Sequence, residues 1–261
     1  RISGTDFEHH RLPVSRHYNS LGIMQSIADV GRGWTHNYSS RIKSDGVTFT
    51  ASMPDGSISL FKRSEDLSNY ASYQLTNALL YVTSSTRAEL RFDNGDVWTY
   101  EGASADKGLD MVAKSIARDA GRDITILRDP FGLVTDVIDR SGRSLRFNYQ
   151  DEYLISIDLP DGNQIQYLYQ EPGFSDRKKL IGVEYQDGSS IQYRYEDADH
   201  PYHITAVIDE LGAVYASYAY DETGRAVFSE NADGAGRVEL SYSGLDTTVT
   251  TNETPGILTG Q

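Results

Sequence analysis

The chain has 261 residues, with 24 lysines and arginines against 38 aspartates and glutamates, a net charge of −14, no cysteine, 23 glycines and 18 tyrosines. That charge repels phosphate backbones and anionic headgroups at long range, the lack of cysteine excludes disulfides, thiolate metal sites and thiol nucleophiles, and no stretch approaches the ~18 apolar residues of a membrane-spanning helix. Counting its glycines, the chain reaches an ordinary globular apolar content, enough for one large β unit or two ordinary domains.

The chain starts at Arg1 without the basic start and apolar core of a signal peptide, so it is expected to be a fragment with any targeting element outside it. A leader over residues 1–50 carries Leu12-Pro13-Val14-Ser15-Arg16-His17-Tyr18-Asn19-Ser20 and then Gly31-Arg32-Gly33-Trp34-Thr35-His36-Asn37-Tyr38. Four histidines fall here, His9, His10, His17 and His36, and a metal site would need them to converge with carboxylates such as Glu8 or Asp29. The spacing does not force that convergence, and hydrogen-bonded surface or core histidines account for them. Asn37-Tyr38-Ser39 is a formal glycosylation sequon, as is Asn252-Glu253-Thr254 near the end.

Residues 51–250 read as β-hairpin repeats. Asp55-Gly56, Asn94-Gly95, Asp161-Gly162 and Asp187-Gly188 supply the positive φ that tight hairpins use. The first two precede Ile58-Ser59-Leu60-Phe61 and Val97-Trp98-Thr99-Tyr100, where apolar residues alternate. Leu109 to Ala120 could form a helix through Met111, Val112 and Ile116, but Ile116 sits where a strand before a turn is expected, and the stretch is taken as strand.

From Gly121 the pattern becomes regular. The turn glycines Gly121, Gly142, Gly162, Gly188, Gly212 and Gly236 are separated by 21, 20, 26, 24 and 24 residues, a repeat of two strands and two turns. Three units place aromatics five and seven residues after the glycine: Phe147 and Tyr149, Tyr167 and Tyr169, Tyr193 and Tyr195. Alternation puts Leu145, Phe147 and Tyr149 on one face and Arg146 and Asn148 on the other. The expected fold is therefore all-β, a strip of sequential antiparallel hairpins. Glu171 to Lys179 and Glu196 to Pro201 are expected as loops inserted in a continuous sheet, and residues 251–261 as an extended exit.

Tyr220-Asp221-Glu222-Thr223-Gly224-Arg225 resembles the Tyr-Asp-x-x-Gly-Arg unit of the Rhs family of YD-repeat proteins, bacterial polymorphic toxin shells distantly related to toxin-complex components and teneurins. Tyr149-Gln150-Asp151 and Tyr195-Glu196-Asp197 resemble degenerate copies. Asp129-Pro130-Phe131-Gly132-Leu133-Val134 followed by Asp139-Arg140-Ser141-Gly142-Arg143 is similar to a consecutive pair. The leader, with Arg16-His17-Tyr18-Asn19-Ser20 and Gly31-Arg32-Gly33-Trp34, resembles the segment that often precedes such repeats. The resemblance implies a β-strip that spirals into a hollow shell around a toxic C-terminal domain. A strip with one aromatic face suits this, because curling buries that face without exposing long edges.

Asp129-Pro130-Phe131-Gly132-Leu133 also resembles the autocleavage motif that ends many such shells, but here more repeats follow, and a turn opened by Asp-Pro explains the residues. The acidic neighbours Asp197 and Asp199, Glu65 and Asp66, and Asp209 and Glu210 read as turn caps rather than a glycosidase pair. No Gly-x-Ser-x-Gly elbow and no Asp-x-Asp-x-Asp-Gly loop occurs. No catalytic, cofactor-binding or metal-ligating residue is therefore assigned, and the chain is expected to be a non-enzymatic shell segment of a secreted or cell-surface protein. Its expected partners are its own C-terminal toxin or effector region, neighbouring shell segments and secretion-system or cell-surface components, without nucleic acid or a membrane-spanning segment. The alternative is an adhesion or carbohydrate-binding module using the tyrosine rows, with Tyr193 as a test position.

Overall fold

The computed structural model describes residues 2–20, 29–63, 69–72, 75–105, 108–118, 121–170, 178–232, 234, 236–244 and 246–251. Every regular element among them is a β-strand, and neighbouring strands pair antiparallel, as the alternation and glycine spacing imply. No helix among them is long and apolar enough to cross a membrane.

A three-stranded sheet comes first: β1 (Ile2–Phe7), β2 (Val14–Tyr18) and β3 (Trp34–His36), with β2 in the middle. Alternation aims Val14, Arg16 and Tyr18 of β2 to one buried side.

The chain then closes a ring from β4 (Arg41–Ser44), β5 (Phe49–Ser52), β6 (Ile58–Arg63), β7 (Tyr70–Ser72), β8 (Ala78–Ser84), β9 (Arg87–Phe92), β10 (Val97–Ala105) and β11 (Gly108–Ala117). Each strand pairs with the next, and β11 returns to β4 through Met111↔Ile42 and Val112↔Arg41. A ring of eight strands is just wide enough to fill with side chains. Ile42, Phe61, Leu80, Leu90, Tyr100 and Met111 are buried there. Gly102 lies so close to the Asp110 carbonyl and Met111 Cα that no Cβ fits between the two strands.

The stretch expected as strand rather than helix is β11, as far as its residues are described, and it leads into the strip. Its early residues pair with β4, whereas Ser115↔Thr125 and Ile116↔Ile124 pair with the following strand. One edge of β11 therefore both closes the ring and starts the sheet leading away from it.

That sheet runs in chain order through β12 (Ile124–Arg128), β13 (Val134–Asp139), β14 (Ser144–Gln150), β15 (Tyr153–Asp158), β16 (Gln164–Gln170), β17 (Lys179–Glu184), β18 (Ser190–Arg194), β19 (Ala206–Ile208), β20 (Val214–Tyr220), β21 (Ala226–Asn231), β22 (Val238–Ser243) and β23 (Asp246–Thr251). Of the two expected loops, Glu196 to Pro201 connects β18 to β19, whereas 171–177 lie outside the described residues.

The turns differ in detail from two-residue Asp-Gly hairpins. Gly162 N donates to Leu159 O at 3.0 Å and Leu159 N to Asn163 O at 2.8 Å, while φ is positive at Gly162 and not at Asp161. This is a three-residue loop, a type I turn followed by a left-handed glycine. The aspartate instead caps the turn, its Oδ1 accepting Asn163 N at 3.0 Å. The two-residue turn with both positions left-handed is Asp151-Glu152, at φ 52° and 67°, without glycine.

Candidate functional site

The repeated tyrosines act first on the backbone. The hydroxyls of Tyr169, Tyr195, Tyr220 and Tyr242 donate to the carbonyls of Leu154, Leu180, Ile204 and Ala226 at 2.8, 2.8, 2.9 and 2.7 Å, each 15 or 16 residues back. Pairing explains the choice. From one glycine-turn hairpin to the next the ladder can be long, as in β16–β17 from Gln166↔Glu184 to Gln170↔Lys179. Across the glycine turns the ladders are short, as in β15–β16, which ends at Ser156↔Gln166. The tyrosine bridges to a carbonyl beyond the end of that short ladder. A register shift immediately before Tyr149, Tyr169 and Tyr220 marks a bulge, the usual device for re-aiming a side chain.

Tyr149 departs from this pattern. Its hydroxyl is buried with no hydrogen-bond partner among the described residues. Burial first, and the Asp29 carboxylate second, push its pKa well above the ordinary value. Beside it, Arg128 donates to the carbonyls of Ala113, Gly132 and Tyr38 at 2.9, 2.8 and 2.8 Å. Burial lowers the Arg128 pKa to about 10, against the pull of Asp29.

The three-stranded sheet covers the aromatic face of the strip. At its centre Arg16 and Asp6 form a buried ion pair. Tyr167 and Tyr185 donate to the two Asp6 oxygens at 2.9 Å each, and Arg16 Nε donates to Tyr193 OH at 2.6 Å. Trp34 packs on Tyr193 at 4.6 Å between ring centroids and donates Nε1–H to Tyr195 OH at 3.1 Å. Tyr18 reaches the Tyr202 carbonyl at 2.7 Å. Apart from the Arg16–Asp6 pair itself, these contacts join residues more than 150 positions apart in the chain. The tyrosine face over β16–β18 is thus occupied by the protein's own leader, and Tyr193, the test position for sugar binding, is 5% exposed.

A second buried cluster holds the leader's end. His36 Nε2 lies 3.0 Å from Asp29 Oδ2, which also accepts from Ser39 Oγ at 3.1 Å. His36 Nδ1 accepts the Tyr38 amide at 3.2 Å, so the ring's proton sits on Nε2 when the imidazole is neutral. Burial alone would raise the Asp29 pKa, yet His36, Ser39 and Arg128 bring it below the ordinary carboxylate value. Serine and histidine share one carboxylate oxygen here and the cluster is buried, so it is braced as structure rather than arranged as a nucleophile and its base.

The other candidates are dispersed. His9 accepts the Arg11 and Leu12 amides at 3.2 and 2.9 Å, the His10 ring lies tilted against His9 at 4.7 Å between centroids, and His17 lies between Ser3 and Ser15 hydroxyls. Among the described residues no group of three or more histidines and carboxylates could hold a metal ion. Asp129 Oδ1 accepts Phe131 N and Leu133 N at 2.9 Å each, which makes Asp129-Pro130-Phe131-Gly132 a capped turn. Asp197 and Asp209 cap turns similarly, whereas Glu65, Asp66 and Asn252 lie outside the described residues. Asn37 is engaged at both ends of its amide, by Pro13 O and Ser15 N. Asp6 carries no signal in the sequence because its tyrosine partners lie more than 150 residues away, and Arg16 stands out there only as part of a motif.

Residues 3–61 match the family model described as a domain of unknown function, DUF6531, covering the three-stranded sheet and the ring as far as β6. No curated protein matches the chain.

Proposed function

We propose that the chain is a non-catalytic wall segment of an Rhs-type YD-repeat protein, in which residues 1–50 act as a leader, residues 51–250 as hairpin repeats and residues 251–261 as an exit. It builds part of a β-shell that encloses or displays a C-terminal toxin or effector, and it works at the cell surface or after secretion. Its partners are that cargo, neighbouring shell segments, and secretion-system or cell-surface components. The observation that carries this reading is the leader sheet seated on the strip through Arg16, Asp6 and the tyrosines of two consecutive repeats. A face covered from within supports a wall with a lined interior more than an open platform for a ligand. The capped turns and the buried clusters have hydrogen-bonding roles that require no chemistry.

The test is limited proteolysis of the parent protein, with glycan binding measured alongside. Cargo that resists protease until the strip unfolds, with no saturable sugar binding, supports the reading. Cargo cut at the rate of a free domain, or sugar binding abolished by Tyr193→Ala in a folded chain, contradicts it.

A further inference from the structure

The turn bearing the intact Tyr-Asp-x-x-Gly-Arg unit is held by two histidines from the loop between β18 and β19. Gly224 has φ 79°, and a Cβ there would stand 3.0 Å from His203 Nε2 and 3.2 Å from His200 Cδ2, so its bare Cα admits both imidazoles. The Gly224 carbonyl can only accept, so its 3.1 Å contact with His203 Nε2 places a proton on that nitrogen. In the neutral ring Nδ1 is then bare, and it is buried without a partner among the described residues. The His200 and Tyr220 rings meet His203 edge-on at 4.9 and 4.5 Å between centroids. Tyr220 is itself tied to Ile204 O, directly after His203.

We propose that this cluster is an acid-opened clasp, in which neutral His203 holds the loop of residues 196–205 against the turn of residues 221–225 and its protonation at Nδ1 releases them. A second proton would sit on a buried nitrogen with no acceptor, in a site packed between an imidazole and a phenol ring. The surrounding charges offer little compensation. On the same loop, Asp197 is engaged by His200 Nδ1 at 3.3 Å and by the Asp199 and His200 amides. On the turn, Asp221 and Arg225 pair with each other at 2.7 Å. From β20 comes the Tyr220 phenol, and from the leader sheet Tyr18, which donates to Tyr202 O.

Burial holds the His203 pKa below its ordinary 6.5; the Gly224 bond opposes this, His200 adds to it and Asp197 opposes it. Because the open form binds the proton more tightly, the clasp's stabilisation is fully present above about pH 6.5 and is lost as pH falls through the folded value. The effect is confined to the junction between two consecutive repeats, so mild acid loosens the strip there before it unfolds elsewhere.

The test is a histidine-resolved NMR titration of the whole chain, with amide hydrogen exchange followed between about pH 7.5 and about pH 5.5. His203 is expected to titrate below 6.5, and exchange at the His203 and Tyr218 amides, corrected for intrinsic pH dependence, to rise severalfold toward acid. In His203→Gln, whose side-chain amide can donate to Gly224 O without taking a proton, that rise should disappear. Titration of His203 at or above 6.5 in the unmodified chain overturns the clasp whether or not the variant folds. So does an unchanged acid response in the folded variant.

Discussion

The tyrosine that closes each repeat combines two roles: its ring packs against the core, and its hydroxyl satisfies a carbonyl beyond the end of the short ladder. Removing the hydroxyl leaves that carbonyl in a half-buried setting, at a cost of about 1 kcal/mol for each bond. Tyr169→Phe and Tyr195→Phe should each lose about that amount in urea unfolding, whereas Tyr149→Phe, whose hydroxyl has no partner, should be neutral or slightly stabilising. Equal losses at all three positions would contradict the distinction. Asp151 and Glu152 hold left-handed φ without being glycine, a conformation that costs an L-residue roughly 1–2 kcal/mol. Glu152→Gly relieves that strain against a larger loss of chain entropy, so a gain of up to about 1 kcal/mol in the same assay is expected. The spacing of aromatics after each glycine was legible in the sequence. Which carbonyl each hydroxyl meets was not, because it depends on where a ladder stops and on a bulge, neither of which leaves a local residue pattern.

Among the elements, β1 and β2 depend most on contacts distant in sequence. Arg16 and Asp6 are both buried, so a neutral residue at one position strands the charge at the other. Arg16→Met should therefore cost about 3–5 kcal/mol and free the leader to protease, while pairing it with Asp6→Leu should recover much of the loss, because a buried ion pair often gives way to apolar packing at little net cost. A double variant as unstable as Arg16→Met would place the defect elsewhere, with the tyrosine hydroxyls left facing apolar side chains. Gly102→Ala tests the ring. A methyl group there collides with the Asp110 backbone, and pushing the strands apart should cost about 1–3 kcal/mol. The hairpins themselves were readable because adjacent strands share one local pattern of alternation and turn glycines, and Ile116 in the right phase was enough to place β11. The separate three-stranded sheet and the return of β11 to β4 were not readable, since pairing between strands some 65 residues apart is decided by curvature and core volume rather than by neighbouring residues.

Over the whole molecule, the tyrosine excess noted in the composition becomes a lining whose ionisation is suppressed. Burial raises the pKa of Tyr18, Tyr38, Tyr100, Tyr167 and Tyr195 above 10. With folded values above the unfolded one, these groups contribute stability that is complete below about pH 10 and lost as pH rises through the folded values. An ultraviolet titration should accordingly show the buried set ionising only in a cooperative step that coincides with loss of β-sheet circular dichroism. A smooth titration of all 18 tyrosines near pH 10 would contradict this.

Tyrosine nitration of the native chain, mapped residue by residue with mass spectrometry, tests the seating of the leader on the strip most directly. Tyr215, 58% exposed, should react readily, while Tyr167 and Tyr193, 4% and 5% exposed beneath the leader sheet, should be protected until the chain unfolds. Nitration of Tyr167 and Tyr193 in the folded protein at the rate of Tyr215 would mean that the leader does not cover the tyrosine face.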